Sequence, residues 1–184
     1  MKKYLIALFL FVSATANAAV YNVDYAASSV SFSGTHADNP FTGKFEKWAA
    51  EIDFDPAHLD TSHIKTEFDL STAKTGNAMY DGTLPEADWF NIKEFPKAEF
   101  VSKTIKENVD KSYEVTGDLT IRNITHPVTF HFTLSDLTKL PVKAKGEAVI
   151  DRLSYDLGKK SDASAEWVGK EVKINIEITA TSSK

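Results

Sequence analysis

Five histidines, two arginines and a scatter of carboxylates are the groups through which this 184-residue chain could do chemistry. His58 and His63 flank a loop, and His126 and His131 have opposite strand parity, so neither pair makes a ready metal clamp. The chain contains no HExxH, no CxxC and no carboxylate cluster at metal-ligand spacing. It also lacks a GxSxG elbow and a glycine-rich phosphate loop. Asp53 and Asp55 share a polar strand face and are expected to be solvated, and Asp81 has no obvious acid–base partner. His36 follows Phe32-Ser33-Gly34-Thr35 at a strand end, where it could hydrogen-bond a polar head group or simply meet the backbone. Arg122 and Arg152 each lie just past a strand. Either could bind a phosphate or carboxylate, but pairing with acids such as Asp118 or Asp156 is favoured. No catalytic residue, metal or cofactor follows from these patterns, and the reading is of a protein that is not an enzyme.

The elements that must carry these residues are strands. Val30 and Phe32 alternate with serines, and Phe41, Gly43 and Phe45 share a face. Trp48, Ala50, Ile52 and Phe54 continue that pattern until Asp55-Pro56 breaks it. Ile64, Thr66, Phe68 and Leu70 form another face, and Ala98 to Ile105 a further run. The second half is more regular, with runs over 113–121, 128–134, 142–150 and 172–178. About eight strands at hairpin-like spacing indicate an all-β sandwich or barrel.

One stretch breaks the alternation. Tyr80 to Phe100 gathers Tyr80, Trp89, Phe90, Phe95 and Phe100, while Pro85 and Pro96 exclude a long helix. A helical turn or two is expected near Asn77 to Leu84. Large aromatics without a ladder of their own must pack against the strands, across the mouth or wall of the cup they form.

Residues 1–18 read as a secretory signal peptide. Lys2 and Lys3 start it, Leu5 to Val12 form its apolar core, and Ala16-Asn17-Ala18 is a small-residue cleavage site. Cleavage after Ala18 would leave one domain over 19–184, in the periplasm first and the medium second. The formal charge of −5 becomes more negative once Lys2 and Lys3 are removed. That argues against nucleic acid or an anionic membrane surface as partner. With no cysteine, the fold must rest on a hydrophobic core. The outward face of the last strand is polar and offers no apolar patch, and the oligomeric state, a dimer included, stays open.

Gly117 and Gly146 inside strand patterns favour the sharp bending of a barrel. A closed barrel of about eight strands either fills with side chains or holds one small ligand. The inward set combines Phe32, Phe45, Phe54, Phe68, Phe100, Phe130 and Phe132 with the small Ala144, Gly146 and Ala148. Small residues leave room for a ligand, or they accommodate the rings opposite. An outer-membrane barrel fits poorly, because several runs are shorter than the roughly 9–11 residues needed and the aromatics fall mid-strand.

Several segments together resemble the YceI-like family of exported, lipocalin-type, polyisoprenoid- and lipid-binding proteins. They are Val23 to Phe32, His36, Gly43-Lys44-Phe45, Ala87 to Phe100 (ADWFNIKEFPKAEF), Gly117 to Thr125 and Asp151 to Gly158. Asn123 and Asn91 depart from the glycine and aspartate frequent in the family, and asparagine tolerates a positive φ. The resemblance implies an eight-stranded antiparallel, lipocalin-like β-barrel with a short helical or irregular segment packed on it. It also implies an apolar tunnel for a long isoprenoid or acyl chain, held for carriage or sequestration. The alternative is a periplasmic stress or interaction protein whose barrel is only a scaffold. On that resemblance, Phe32, Phe45, Phe54, Phe68, Trp89, Phe90, Phe100, Phe130 and Phe132 would line the tail. His36, Tyr80 and Arg152 would meet the head group.

Overall fold

A computed structural model describes residues 19–183, so the signal-peptide expectation over 1–18 lies outside the described residues. Eleven strands form one sheet: β1 (Ala19–Val23), β2 (Ser29–His36), β3 (Asn39–Phe45), β4 (Trp48–Phe54), β5 (His63–Asp69), β6 (Ala73–Lys74), β7 (Lys97–Glu107), β8 (Tyr113–Ile121), β9 (Ile124–Leu134), β10 (Val142–Asp151) and β11 (Glu171–Ser183). The single α-helix among the described residues, α1 (Ala78–Thr83), is capped by Asn77 and ends at Leu84, where a helical turn was expected. The sheet order β1-β4-β5-β7-β8-β9-β10-β11 returns to β1, which closes an eight-stranded antiparallel barrel.

The other three strands extend the wall beyond that ring. β11 is long enough to pair with β10 on one side and with two strands in succession on the other. Lys173 to Glu177 meet β2, and Ala180 to Ser183 meet β1. β2 pairs with β3, and β3 with the short β6. β6 has no partner beyond β3, so this end of the wall is left incomplete. The aromatic stretch 75–96 fills that place. It returns to the sheet where Leu70 N–H donates to the Pro96 carbonyl at 2.9 Å. This end, which also holds the β8–β9 turn and the segment 152–170, is the mouth; the β7–β8 and β9–β10 connections mark the far end.

Alternation produced most of these strands for the expected reason: one face is buried. In β8, Tyr113, Val115, Gly117, Leu119 and Ile121 are buried while the residues between them are half-exposed. β7 departs from strict alternation. Ser102 keeps the inward parity of Ala98 and Phe100, where its hydroxyl accepts from Ile64 N–H at 2.8 Å, and the bulge between Ser102 and Thr104 then shifts the parity so that Ile105 enters the core. β9 begins at Ile124 rather than at Val128, because the β8–β9 turn is only Arg122-Asn123. Both turn residues have positive φ, 54° and 59°, the geometry that suits a two-residue hairpin.

Candidate functional site

The interior holds two apolar chambers in line, with a third cavity at the mouth. The far chamber, about 100 Å³, lies among Tyr21, Trp48, Ala50, Thr66, Leu137 and Ala144. Ala50 and Ala144 come from inward positions of β4 and β10, and they make the room. The next chamber, about 90 Å³, is walled by rings: Phe32, Phe45, Phe68, Phe90 and Phe130, with Trp89 toward the mouth. Val30 is the residue shared by both chambers, and Phe130 and Phe132, 6.0 Å apart, stand on either side of the division. The interior is therefore partitioned rather than one continuous hollow.

The third cavity, about 130 Å³, sits between α1 and the end of β2. It shares Phe41, Leu84, Trp89 and Val168 with the chamber below. His36 and Tyr80 meet there, with Tyr80 Oη 3.2 Å from His36 Nδ1 and the rings 5.3 Å apart. Met79 on the rim is 71% exposed, which leaves an apolar side chain in solvent beside the opening. This pair can offer a hydrogen bond to a polar group at the mouth, while the two chambers beneath it are walled mainly by apolar side chains.

Three of the family segments converge on this end and hold it together. Arg122 donates from Nη1 to the carbonyls of Asp88 and Asp156 and from Nη2 to that of Ala87. The Asp88 carboxylate accepts from the Lys160 and Ser161 amides and the Ser161 hydroxyl. Burial opposes its charge, but those donors hold it below the usual carboxylate range. Gly158, at φ 67°, passes under the Trp89 indole, where a Cβ would meet the ring at 2.8 Å. The ADWF, IRN and DRLSYDLG segments thus form one clamp.

Arg152, placed in the sequence as a head-group residue, is 1% exposed and fully engaged inside the protein. It donates to the carbonyls of Leu157, Val168 and Gly169 and to Asp162 Oδ2 at 2.7 Å. Its partner is Asp162, not Asp118 or Asp156; those acids pair with Lys103 and Lys159. Burial draws the guanidinium below the usual arginine range, while Asp162 and Asp151 pull it back. Asp162 is itself pushed up by burial, yet the amides of Val168 and Trp167 and the Arg152 charge hold it below its ordinary value. A buried pair with this many donors is a structural clamp.

Of the tail residues read from sequence, Phe54 and Phe132 line the far chamber, while Phe32, Phe45, Phe68, Trp89, Phe90 and Phe130 line the next. Phe100 lines neither; it is buried edge-on to Phe130, with ring centroids 5.0 Å apart, and fills the core. Gly146 also contributes no room, because a Cβ there would collide with the Phe132 ring of its cross-strand partner. Tyr21 and Leu137 were missed in the sequence. β1 is too short to show a run, and Leu137 stands in the β9–β10 loop. Among the described residues no cluster of His, Cys, Asp and Glu could hold a metal, and no helix is long and apolar enough to cross a membrane.

Residues 21–180 match the YceI-like domain family. A UPF0312 protein of Pseudomonas putida is 32% identical over 119 residues, 65% of this chain and 59% of that protein, so the match spans well under two thirds of the relative's length. A UPF0312 protein of Shewanella denitrificans is 30% identical over 136 residues, 70% of this chain and 71% of that one. The crystal structure of Burkholderia cenocepacia BcnA superposes with a TM-score of 0.82 at 31% identity, covering 87% of this chain and all 100% of the other. A polyisoprenoid binding domain from Saccharophagus degradans, implicated in plant cell wall breakdown, shares the fold at a TM-score of 0.67 and 14% identity, covering 89% and 98%. Matched from Tyr21 to Ala180, across the barrel and its mouth clamp, the chain belongs to the YceI-like family.

Proposed function

We propose that the protein binds a long apolar molecule (a polyisoprenoid, a fatty acid or a related lipid) inside the barrel and carries or sequesters it in an exported compartment, first the periplasm. The observation that supports this most directly is the line of apolar cavities from the His36–Tyr80 mouth through two chambers. Membership of a family with a polyisoprenoid-binding structural neighbour supports the same ligand class.

Magnitudes favour a long ligand. A buried methylene gains about 0.8 kcal/mol, and association costs roughly 4–15 kcal/mol in lost freedom. A chain of about ten methylenes therefore reaches the range where binding becomes net favourable, and a short one does not. Each chamber is smaller than the roughly 150 Å³ cavity that accepts benzene. A long chain would therefore occupy several cavities and displace the Val30–Phe130–Phe132 layer between them. His36 and Tyr80 would hold its polar end, and the aromatic walls its tail.

The test is to purify the protein from an exporting host without detergent, then record its native mass and analyse an organic extract. The expected result is a bound apolar mass and a fluorescence gain on adding a lipid probe to stripped protein. No extractable molecule and no gain would favour a scaffold with a filled core. Fractionation of the same cells tests the compartment, and recovery in the cytoplasm alone would overturn the export reading.

A further inference from the structure

The two ends of the barrel are closed differently. At the mouth, helix and loop side chains border the cavity, and Met79 stands exposed beside it. At the far end, every described residue that borders the chamber lies on a strand except Leu137. Of the two connections that mark this end, the β7–β8 turn points away, with Val109 fully in solvent, and the β9–β10 loop turns Leu137 in against the core.

Leu137 does not hang freely from that loop. Ser135 N–H donates to the Lys143 carbonyl at 2.8 Å, and Lys143 N–H donates back to Ser135 Oγ at 2.8 Å. The Asp136 carboxylate accepts from the Thr138 amide at 3.0 Å and its hydroxyl at 2.6 Å, and the Asp136 carbonyl accepts from Lys139 N–H at 3.1 Å. Such local bonds give a loop one shape in place of many. They hold it on both sides of Leu137, which is half-buried while Asp136 and Thr138 are exposed.

The strands set the scale. On β11, Val172 and Ile174 border the near chamber, and Ile176 and Ile178 the far one. At about 3.3 Å per residue on a strand tilted by roughly 40°, Val172 to Ile178 spans about 15 Å of the barrel axis. The His36–Tyr80 pair stands at the mouth side of this span, and Leu137 at its other end. A chain whose polar end stays at the mouth can extend inward only until its tail meets Leu137.

We propose that Leu137 sets the length of chain the barrel buries, the pinned β9–β10 loop acting as a gauge against which the ligand's tail comes to rest. This rests on the reading of the interior as a lipid site, and it narrows the ligand class to a polar head on an apolar tail of limited buried length. Longer tails leave carbon outside at the mouth, where an extra methylene gains nothing.

The experiment displaces one fluorescent lipid probe from stripped full-length protein with saturated, unbranched fatty acids of rising length, each below its micelle concentration. Affinity should climb by about fourfold per methylene and then level off at a break point. Leu137→Ala should move the break to longer chains by about two to three carbons, the size of the group removed. Leu137→Phe should move it to shorter ones. Leu140→Ala, in the same loop but in solvent, should leave it in place. A break that stays put in both Leu137 variants overturns the gauge, and so does an affinity that climbs without levelling. Those outcomes, with the probe still bound, leave the lipid site standing; if neither probe nor acid binds, the site itself fails and the gauge with it.

Discussion

The Arg152 guanidinium lies over the Trp89 indole, 5.5 Å from the ring centroid. Arg152 opens the 3₁₀ turn that follows β10 and Trp89 belongs to the aromatic stretch that plugs the mouth, so this stacking ties the plug to the wall. Arg152 keeps its position through Asp162, at 2.7 Å. Removing one member of a buried pair leaves an uncompensated charge, which costs about 3–5 kcal/mol. Asp162→Ala is expected to destabilise the protein by that order, read as a lower denaturant midpoint at constant slope. A change below about 1 kcal/mol would mean that the backbone carbonyls alone hold Arg152.

The same carboxylate makes the clamp acid-sensitive. Asp162 and Asp88 both have folded-state pKa values below their ordinary range. A depressed folded pKa contributes stability above the unfolded value, about 3.9 for Asp, and that stability is lost as the pH falls through the folded value. The segment 156–170 should therefore loosen below about pH 4. Fluorescence of Trp89 would report it, and Asp162→Asn should remove part of the acid-dependent change.

Filling the far chamber separates ligand binding from folding. Ala144→Leu adds apolar volume where about 100 Å³ is free, so the fold should keep its stability within about 1.5 kcal/mol. Lipid-probe affinity should fall. Gly146→Leu is the contrasting change: its side chain meets the Phe132 ring, and overpacking typically costs about 1–3 kcal/mol. Titration of both variants with one probe, alongside thermal unfolding, checks the pair. Unchanged affinity in Ala144→Leu would place the ligand elsewhere.

The β8–β9 hairpin offers a backbone test. Asn123 has φ 59°, where asparagine and glycine are tolerated and a β-branched residue is strained. Asn123→Gly should be close to neutral, and Asn123→Val should cost about 1–3 kcal/mol. Denaturant melts of the two variants give the comparison.

β4 and β8 were legible because their burial is one-sided, and a two-residue period is written in the chain itself. The helical turn expected near Asn77 to Leu84 is α1, and the structure shows Asn77 as its cap. β1 was not read at all, since five residues give too little pattern to stand out. The bulge at Ser102–Thr104 was hidden because an extra residue changes parity without changing composition. The mouth candidates divided by what lies around them. His36 and Tyr80 meet at the opening, whereas Arg152 turned inward, because Asp162 reaches it from an irregular segment that no periodicity describes.

The inward face of most strands and the tolerance of Asn91 and Asn123 for positive φ follow from local steric preference and from the two faces of a pleated chain. Those are properties of neighbouring residues, and the sequence determines them alone. The partition of the interior and the engagement of both arginines by the mouth clamp were decided only in three dimensions. Each depends on side chains brought together from strands far apart in the chain, where a cavity or a gap is the volume they leave unfilled.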